Sequence, residues 1–569
     1  MNRLWIQKSQ VPNEKIEELS RALNLNSFLT AILIQRGIST FDEAKSFFRP
    51  SLDQLHNPFL LKGMEVAIKR IKAAVERAEK ILVFGDHDVD GTTAVALVVG
   101  FFKTFYKNID SYIPDRYSEG YGVSVEGIEF AEKNDFKLVI TLDLGIKATS
   151  MVSLASEKGI DFIICDHHLP GTTIPLAVSV LDPKQPDCNY PYDELSGCGL
   201  GFKLIQAYSQ RYFPAANIYQ YLDLVCVSIA SDIVPITGEN RILAFHGLKK
   251  LNENPCPGLK ALKEVSGIRN ELDIAGIVFT LGPRINSAGR VAHANAAVSL
   301  LTASTEAEAL ELANKLNLKN DLRRSFDSAT TEEALALIES DSNQKSKKTT
   351  VLFKETWHKG VIGIVAARCI EKYYRPTVIL TESDGKITGS ARSIEGFDLY
   401  AALLKCSDLF EKFGGHKYAA GLTMDKSKLQ EFEVRFEEIA ARTISDEMLI
   451  PKIEIDQQLD FDAITPKFIG VLKQMAPFGP QNLAPVFESR NVVIVNSLSS
   501  LKDRHVRFVA GQHNNTSFFN SIGFDLIHHY ERLKSAAPFR IVYSIEENAY
   551  NGNITIQLRI KDIKFDLSI

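Results

Sequence analysis

The 569 residues are 45% hydrophobic and 24% charged, a globular composition long enough for about three or four domains at ~150 residues each. No apolar run approaches the ~20 residues of a membrane span, and the opening stretch MNRLWIQKSQVPNEK lacks the apolar core of a secretory signal. Seven scattered cysteines without a CxxC pair argue against a disulfide framework and for a reducing cytoplasm, and the net charge of −5 argues against a passive nucleic-acid coat.

Residues 1–75 read as a helical region, from amphipathic stretches such as NEKIEELSRALN and FDEAKSFF. Residues 76–325 alternate strands and helices and read as an α/β domain built on a parallel sheet. Three apolar runs within it end in acids or histidines: ILVFGDHDVDG (81–91), LVITLDLGI (138–146) and FIICDHH (162–168). Each is predicted to be a buried strand whose polar cluster sits at its carboxyl end, where open α/β sheets gather their ligands. Asp86, Asp88, Asp90, Asp143, Asp166, His167 and His168 would then converge.

So many carboxylates repel one another unless cations offset the charge, so a metal site with two ions is expected. Aspartates mixed with histidines, without cysteine, suit Mn²⁺ or Mg²⁺. Asp143 is the candidate for a carboxylate shared by both ions. Asp232, after the apolar run of VSIASDIVPI, is a further ligand candidate or a helix cap. A calcium EF-hand is excluded, because position 12 counted from Asp86 is Leu97 and a strand precedes the loop; a solvated turn is the bland alternative. The absence of GxxxxGK[ST] and GxSxG patterns argues against nucleotide-driven motors and serine hydrolases.

The run TEAEALELANKLNLKNDLRRSFDSATTEEALALIES (305–340) predicts a long helix, with a break near Leu316–Asn320; the connecting helix is assigned to 326–345. The polar stretch SDSNQKSKKTT (340–350) is the best linker candidate. A smaller α/β domain is expected over 346–445, with the Gly-rich segment EKFGGHKYAAGLT (411–423). Residues 446–569 turn to short β-rich runs and predict a small barrel. Residues 451–569 carry 13 Lys/Arg against 12 Asp/Glu, so weak binding of a polyanion by that part alone is expected.

Arg116, Arg284, Arg290 and Arg392 are candidates for phosphate contacts or for ion pairs between domains. Tyr117 and Tyr121 could stack on bases or serve as ordinary loop or core tyrosines. Gly414 and Gly415 would let the backbone approach a bound chain closely, with His416 touching a phosphate or packed in its loop.

GDHDVDGTTA, TLDLGI, DHH and IASDIVP resemble, in that order, the four motifs of the DHH phosphoesterase superfamily, and FGGHKYAAGLT resembles the GGH motif of its DHHA1 domain. LGPRINSAGR (281–290), HKGVIGIVAAR (358–368), GSARSIEGFDL (389–399) and APFGPQNLAPVF (476–487) extend the resemblance to the superfamily's single-stranded-DNA-specific exonucleases. The resemblance implies a DHH domain, a long connecting helix, a smaller α/β DHHA1 domain and a C-terminal OB-fold barrel. It implies 5′→3′ digestion of single-stranded DNA to mononucleotides with Mn²⁺ or Mg²⁺, in recombination and repair. It further implies a cytoplasmic monomer, with a single-strand-binding protein and a helicase as partners.

Carried onto this chain, the metal ligands would be Asp86, Asp88, Asp90, Asp143, His167 and Asp232, with His168 close by and Asp166 orienting the histidines. Arg116, Arg284, Ser390 and Arg392 would lie near the 5′ end and the scissile phosphate. The chain departs from the family pattern at Phe84, where some relatives have a metal-binding histidine for which Asp86 would compensate. It departs again at His87, where an aromatic is usual; His87 is an outward-facing substitute or an extra ligand. A small-molecule phosphoesterase of the superfamily would lack the β-rich tail, and an inactive DNA-binding scaffold would not keep the full set of acids and histidines.

Overall fold

Apolar runs without polar alternation need cover on both faces. In the computed structural model, which describes residues 3–115, 118–291, 295–513, 515–535, 537–550 and 553–565, they receive it. The chain divides into two compact units, residues 51–449 and the combination of 1–50 with 450–569.

In the larger unit a five-stranded sheet runs in the order Ile109–Tyr112, Lys80–Gly85, Phe136–Leu142, Asp161–Cys165, Ser179–Leu181. All its pairings are parallel. Alternate residues serve opposite faces: Ile81 and Val83 join one buried cluster, Leu82 and Phe84 another. The strand order reverses between Lys80–Gly85 and Phe136–Leu142, a topological switch point where a crevice opens beyond the strand ends. Register places Gly85 beside Leu142 and Leu142 beside Cys165. The next residues, Asp86, Asp143 and Asp166, therefore leave the sheet side by side.

The helix Glu306–Ser340 is continuous, which corrects the break expected near Leu316–Asn320. It contains neither Gly nor Pro, and both boundary residues of the supposed break are buried. The supposed linker 340–350 is also structured, with a short helix over Ser342–Ser346 capped by Asp341. Glu437 then accepts the amides of Lys348 and Thr349.

A second five-stranded sheet follows, in the order Lys412–His416, Ala419–Met424, Lys386–Arg392, Thr377–Ser383, Thr350–Phe353. It is antiparallel except for its last pair. One face is covered by the helices Leu399–Leu404 and Leu429–Thr443, and the other is partly covered by Ile362–Lys372.

In the smaller unit, Leu4–Gln7 forms a strand parallel to Lys452–Ile455, so the N-terminal region is not wholly helical. Trp5 explains the anchoring: its indole Nε1 donates to Asp562 at 2.7 Å. The long strands Phe487–Leu501, His505–Gln512, Phe519–Gly523, Asn553–Phe565 and Phe539–Tyr550 pair in sequence around a ring that the first and last close. Phe487, Phe508, Phe539 and Tyr543 fill this barrel, and Leu29, Ile32 and Leu33 of the helix Ser27–Gln35 belong to the same core.

Candidate metal centre

Asp86 and Asp88 lie in the turn between the strand Lys80–Gly85 and the helix Val89–Lys103, and Asp90 lies in the first turn of that helix, which Asp88 caps by accepting the Gly91 amide at 3.1 Å. Asp143 follows its strand with a φ of 64°, a left-handed conformation that aspartate tolerates better than most residues. That turn brings its Oδ1 to 3.0 Å from His167 Nε2. The same nitrogen lies 3.7 Å from Asp90 Oδ2 and 3.7 Å from Asp232 Oδ2. Asp232 sits at the end of the helix Leu222–Ser231.

Among the described residues, the clusters of acids and histidines able to hold a cation all lie here. They are Asp86, Asp88 and Asp143; Asp90, His167 and Asp232; and Asp143, His167 and His168, with ligand atoms in each set within 4.8 Å of one another. Asp143 and His167 each belong to two sets.

The electrostatics match that geometry. Burial, then the charges of Asp86 and Asp90, push Asp88 up to about 6. Burial and the charges of Asp90 and Asp88 push Asp232 up to about 9, although Lys184 offsets part of the rise. Asp143 is raised well above the ordinary carboxylate range by burial and by Asp90, Asp88 and Asp86. Burial lowers His167, leaving a neutral imidazole able to act as a ligand. Asp86 Oδ1 is buried and makes no hydrogen bond, although His87 Nδ1 lies 2.9 Å away. Divalent cations would offset all of these costs, so the residues fit a two-ion centre.

Asp166 works differently. Its Oδ1 accepts the amides of His167 and His168 and lies 2.7 Å from His168 Nδ1, while Oδ2 accepts the Ile146 amide at 2.8 Å. Burial would raise its pKa, but the contacts with His168 and the Ile146 amide bring it below the usual value. His168 is raised in turn, because Asp166 outweighs its burial. Asp166 thus holds the backbone of both histidines and the ring of His168.

Sequence reasoning missed the groups that hold Asp90. The amides of Gly197 and Cys198, at the start of the helix Gly197–Tyr212, donate to Asp90 Oδ2 and Oδ1 at 2.7 and 2.8 Å, and Ser228 Oγ donates to Oδ1 at 2.7 Å. Gly197 has a steric reason as well: a Cβ there would lie 2.6 Å from Asp143 Cβ. The only trace in the sequence is the small-residue run SGCG at 196–199.

His87 is buried, not outward-facing, and its Nδ1 lies 2.9 Å from Asp86 Oδ1. The reason is the helix Gly282–Val291, where a Cβ on Gly289 would lie 2.9 Å from the His87 carbonyl oxygen. His87 belongs to none of the three ligand sets. Phe84 is core, its ring centroid 5.0 Å from that of Tyr112.

The other expected substrate residues fall into separate places. Ser390 and Arg392 share one face of the strand Lys386–Arg392, with Arg392 Nη1 donating to Ser390 Oγ at 3.1 Å. Register aligns Ser390 with Gly421 and Gly414, and Arg392 with Ala419 and His416. Gly414, Gly415 and His416 are exposed on the edge strand. The result is a shelf of small residues beside a guanidinium.

Arg284 is buried, donating from Nε to Asn317 at 2.8 Å and from Nη1 to the Thr280 carbonyl at 2.9 Å. Tyr121 is exposed, with its hydroxyl 3.5 Å from His168 Nε2. Arg290 lies in the helix Gly282–Val291, but its side chain is outside the described residues, as are Arg116 and Tyr117 entirely.

Three family models match the chain: the DHH family N-terminal domain over residues 80–229, the DHHA1 domain over 346–442 and the RecJ OB domain over 455–562. The chain is 34% identical to the single-stranded-DNA-specific exonuclease RecJ of Bacillus subtilis, over 96% of its own length and 69% of that protein. It is 30% identical to the Escherichia coli exonuclease of the same name, over 98% of its length and 99% of that protein. The structure of RecJ from Thermus thermophilus in complex with Mn²⁺ superposes with a TM-score of 0.85 at 26% identity, covering 100% of this chain and 80% of that one. The same protein's complex with Mg²⁺ matches with a TM-score of 0.78 at 25% identity, covering 99% of this chain and 79% of that one. With all three domains matched and near-complete coverage of a 30%-identical relative, the chain belongs to the RecJ family of single-stranded-DNA-specific exonucleases.

Proposed function

We propose that this chain digests single-stranded DNA from its 5′ end and releases 5′-mononucleotides, serving recombination and repair. The broader activity is that of its family: a metal-dependent, single-strand-specific exonuclease using Mn²⁺ or Mg²⁺. The observation that carries the assignment of the centre is the sharing of Asp143 and His167 between ligand sets. Asp86, Asp88 and Asp143 would hold one ion, and Asp90, Asp143, His167 and Asp232 the other. Two such ions stabilise the attacking and leaving oxygens of a phosphodiester displacement.

The chain's own groups supply position. Asp166 holds the His168 imidazole and the His167 amide, Asp90 is held by the Gly197 and Cys198 amides, and the exposed Tyr121 offers a ring beside His168. Ser390 and Arg392 offer a hydroxyl and a guanidinium that suit phosphate, next to the exposed backbone of Gly414 and Gly415. The chain acts on single-stranded DNA; a single-strand-binding protein, a helicase and a monomeric state complete the reading. No helix among the described residues is long and apolar enough to cross a membrane, and the seven cysteines are unpaired, which supports a cytoplasmic setting.

Digestion of a single strand labelled at one end, with Mn²⁺ or Mg²⁺, tests all of this together. Labelled mononucleotide should appear first from the 5′-labelled strand. Earliest release from the 3′ label would overturn the polarity, and a strong preference for a dinucleotide over a long strand would overturn the substrate.

A further inference from the structure

The helix Leu222–Ser231 ends at Asp232, and the following residue, Ile233, has a φ of 61°. Position C′ of a helix is the usual place for a left-handed residue, and glycine is the usual occupant because a Cβ there is strained. Among the described residues, Ile233 is the only β-branched side chain with a left-handed φ; the others are mostly Asp and Asn or unbranched. Burial does not compensate, because Ile233 is 63% exposed. Neither backbone preference nor the core therefore accounts for isoleucine at this place.

Its position does. Ile233 directly follows Asp232, whose carboxylate lies 3.7 Å from His167 Nε2. A second exposed apolar side chain, Leu169, directly follows His168 and is 71% exposed. Isolated apolar residues on a surface need no explanation, but two that directly follow residues of a charged centre, one of them strained, do. Strained backbone clusters at active sites and ligand clamps, where the strain serves the mechanism.

We propose that Ile233 packs against a nucleobase of the bound strand, beside the centre to which Asp232 and His167 belong. The inference rests on the single-strand exonuclease reading. An aliphatic side chain meets the face of any base, so the contact positions the strand without selecting sequence.

The test compares kcat/KM, in Mn²⁺, for a natural single strand and for the same strand with abasic sugars at its terminal positions, in the wild-type protein and in Ile233→Gly. Glycine suits the left-handed backbone, so the variant should melt no lower than the wild type. The wild type should lose about tenfold on the abasic strand, and Ile233→Gly about tenfold on the natural strand. The variant should lose clearly less than the wild type when the bases are also removed, because the contact of Ile233 is among those that the abasic strand lacks. Ile233→Met, which keeps an apolar side chain, should recover most of the loss. Equal rates for variant and wild type on the natural strand, or independent multiplying losses, would overturn the proposal. A wild type that frees no nucleotide from the natural strand would instead overturn the exonuclease reading, and this inference with it.

Discussion

The Nε2 of His167 lies 3.0 Å from Asp143 Oδ1, joining the ends of two adjacent parallel strands through a single contact. The contact places Asp143 between the turn that carries Asp86 and Asp88 and the pair formed by His167 and Asp232. A carboxylate so placed can serve two cations.

Asp143→Asn is expected to lower hydrolysis of single-stranded DNA by roughly a thousandfold, equivalent to about 4 kcal/mol of lost transition-state stabilisation. Asparagine tolerates the left-handed backbone, so circular dichroism should be unchanged. Turnover within a few-fold of wild type would refute the shared-ligand role.

The metal-free protein should lose stability as pH rises. Asp88 and Asp232 bind protons more tightly when folded than when unfolded, because burial and neighbouring acids raise their pKa values. Their contribution is complete below the unfolded carboxyl range, near pH 4, and is lost as pH rises through about 6 for Asp88 and about 9 for Asp232. Melting curves in chelator at pH 5, 7 and 9 should show a falling Tm, flatter in Asp232→Asn and restored by Mn²⁺. A Tm that is level over this range, or rises, would contradict the charge balance described.

Asp166→Asn should weaken Mn²⁺ binding and activity by about 10–100-fold, the usual cost of losing a carboxylate that orients ligand histidines. His168, no longer raised by Asp166, should titrate at lower pH, visible in its NMR ring signals. An unchanged His168 titration would show that the contact at 2.7 Å does not control it.

Gly197→Ala should disturb the centre without replacing any ligand. The new Cβ would meet Asp143 Cβ at 2.6 Å, and backbone on both sides resists movement. Isothermal titration with Mn²⁺ should show weakened binding, together with a lower Tm. Wild-type affinity would mean that the helix start can shift without moving Asp143.

Arg392→Ala should separate substrate holding from metal binding. Arg392 lies on the second sheet, beside Ser390 and in none of the ligand sets. KM for single strands should rise about tenfold, the scale of one lost charge-assisted contact, with Mn²⁺ affinity unchanged. A loss of Mn²⁺ affinity would place the arginine in the metal centre instead.

The strand ends were legible because they obey local rules. Uninterrupted apolar runs such as ILVF and VITL, rich in β-branched residues, suit strands covered on both faces, and polar residues directly after such strands sit at the carboxyl edge. The α/β character of the first domain, the β-rich barrel at the end and the acids of the centre followed from that pattern and from the motifs. What spacing along the chain could not carry was partnership between distant segments. Asp90 is held by amides more than 100 residues away, His87 is buried by a helix 200 residues away, and Leu4–Gln7 becomes a strand only beside Lys452–Ile455. The break expected near Leu316 is absent because Leu316 and Asn320 are buried, a tertiary restraint that outweighs the weak helix propensity of asparagine. Residue types and their periodicity therefore established which groups stand at the sheet edge. Strand order, register and helix ends established which of them come within reach of one another, because hydrogen bonds and steric contact act through space without regard to separation in sequence.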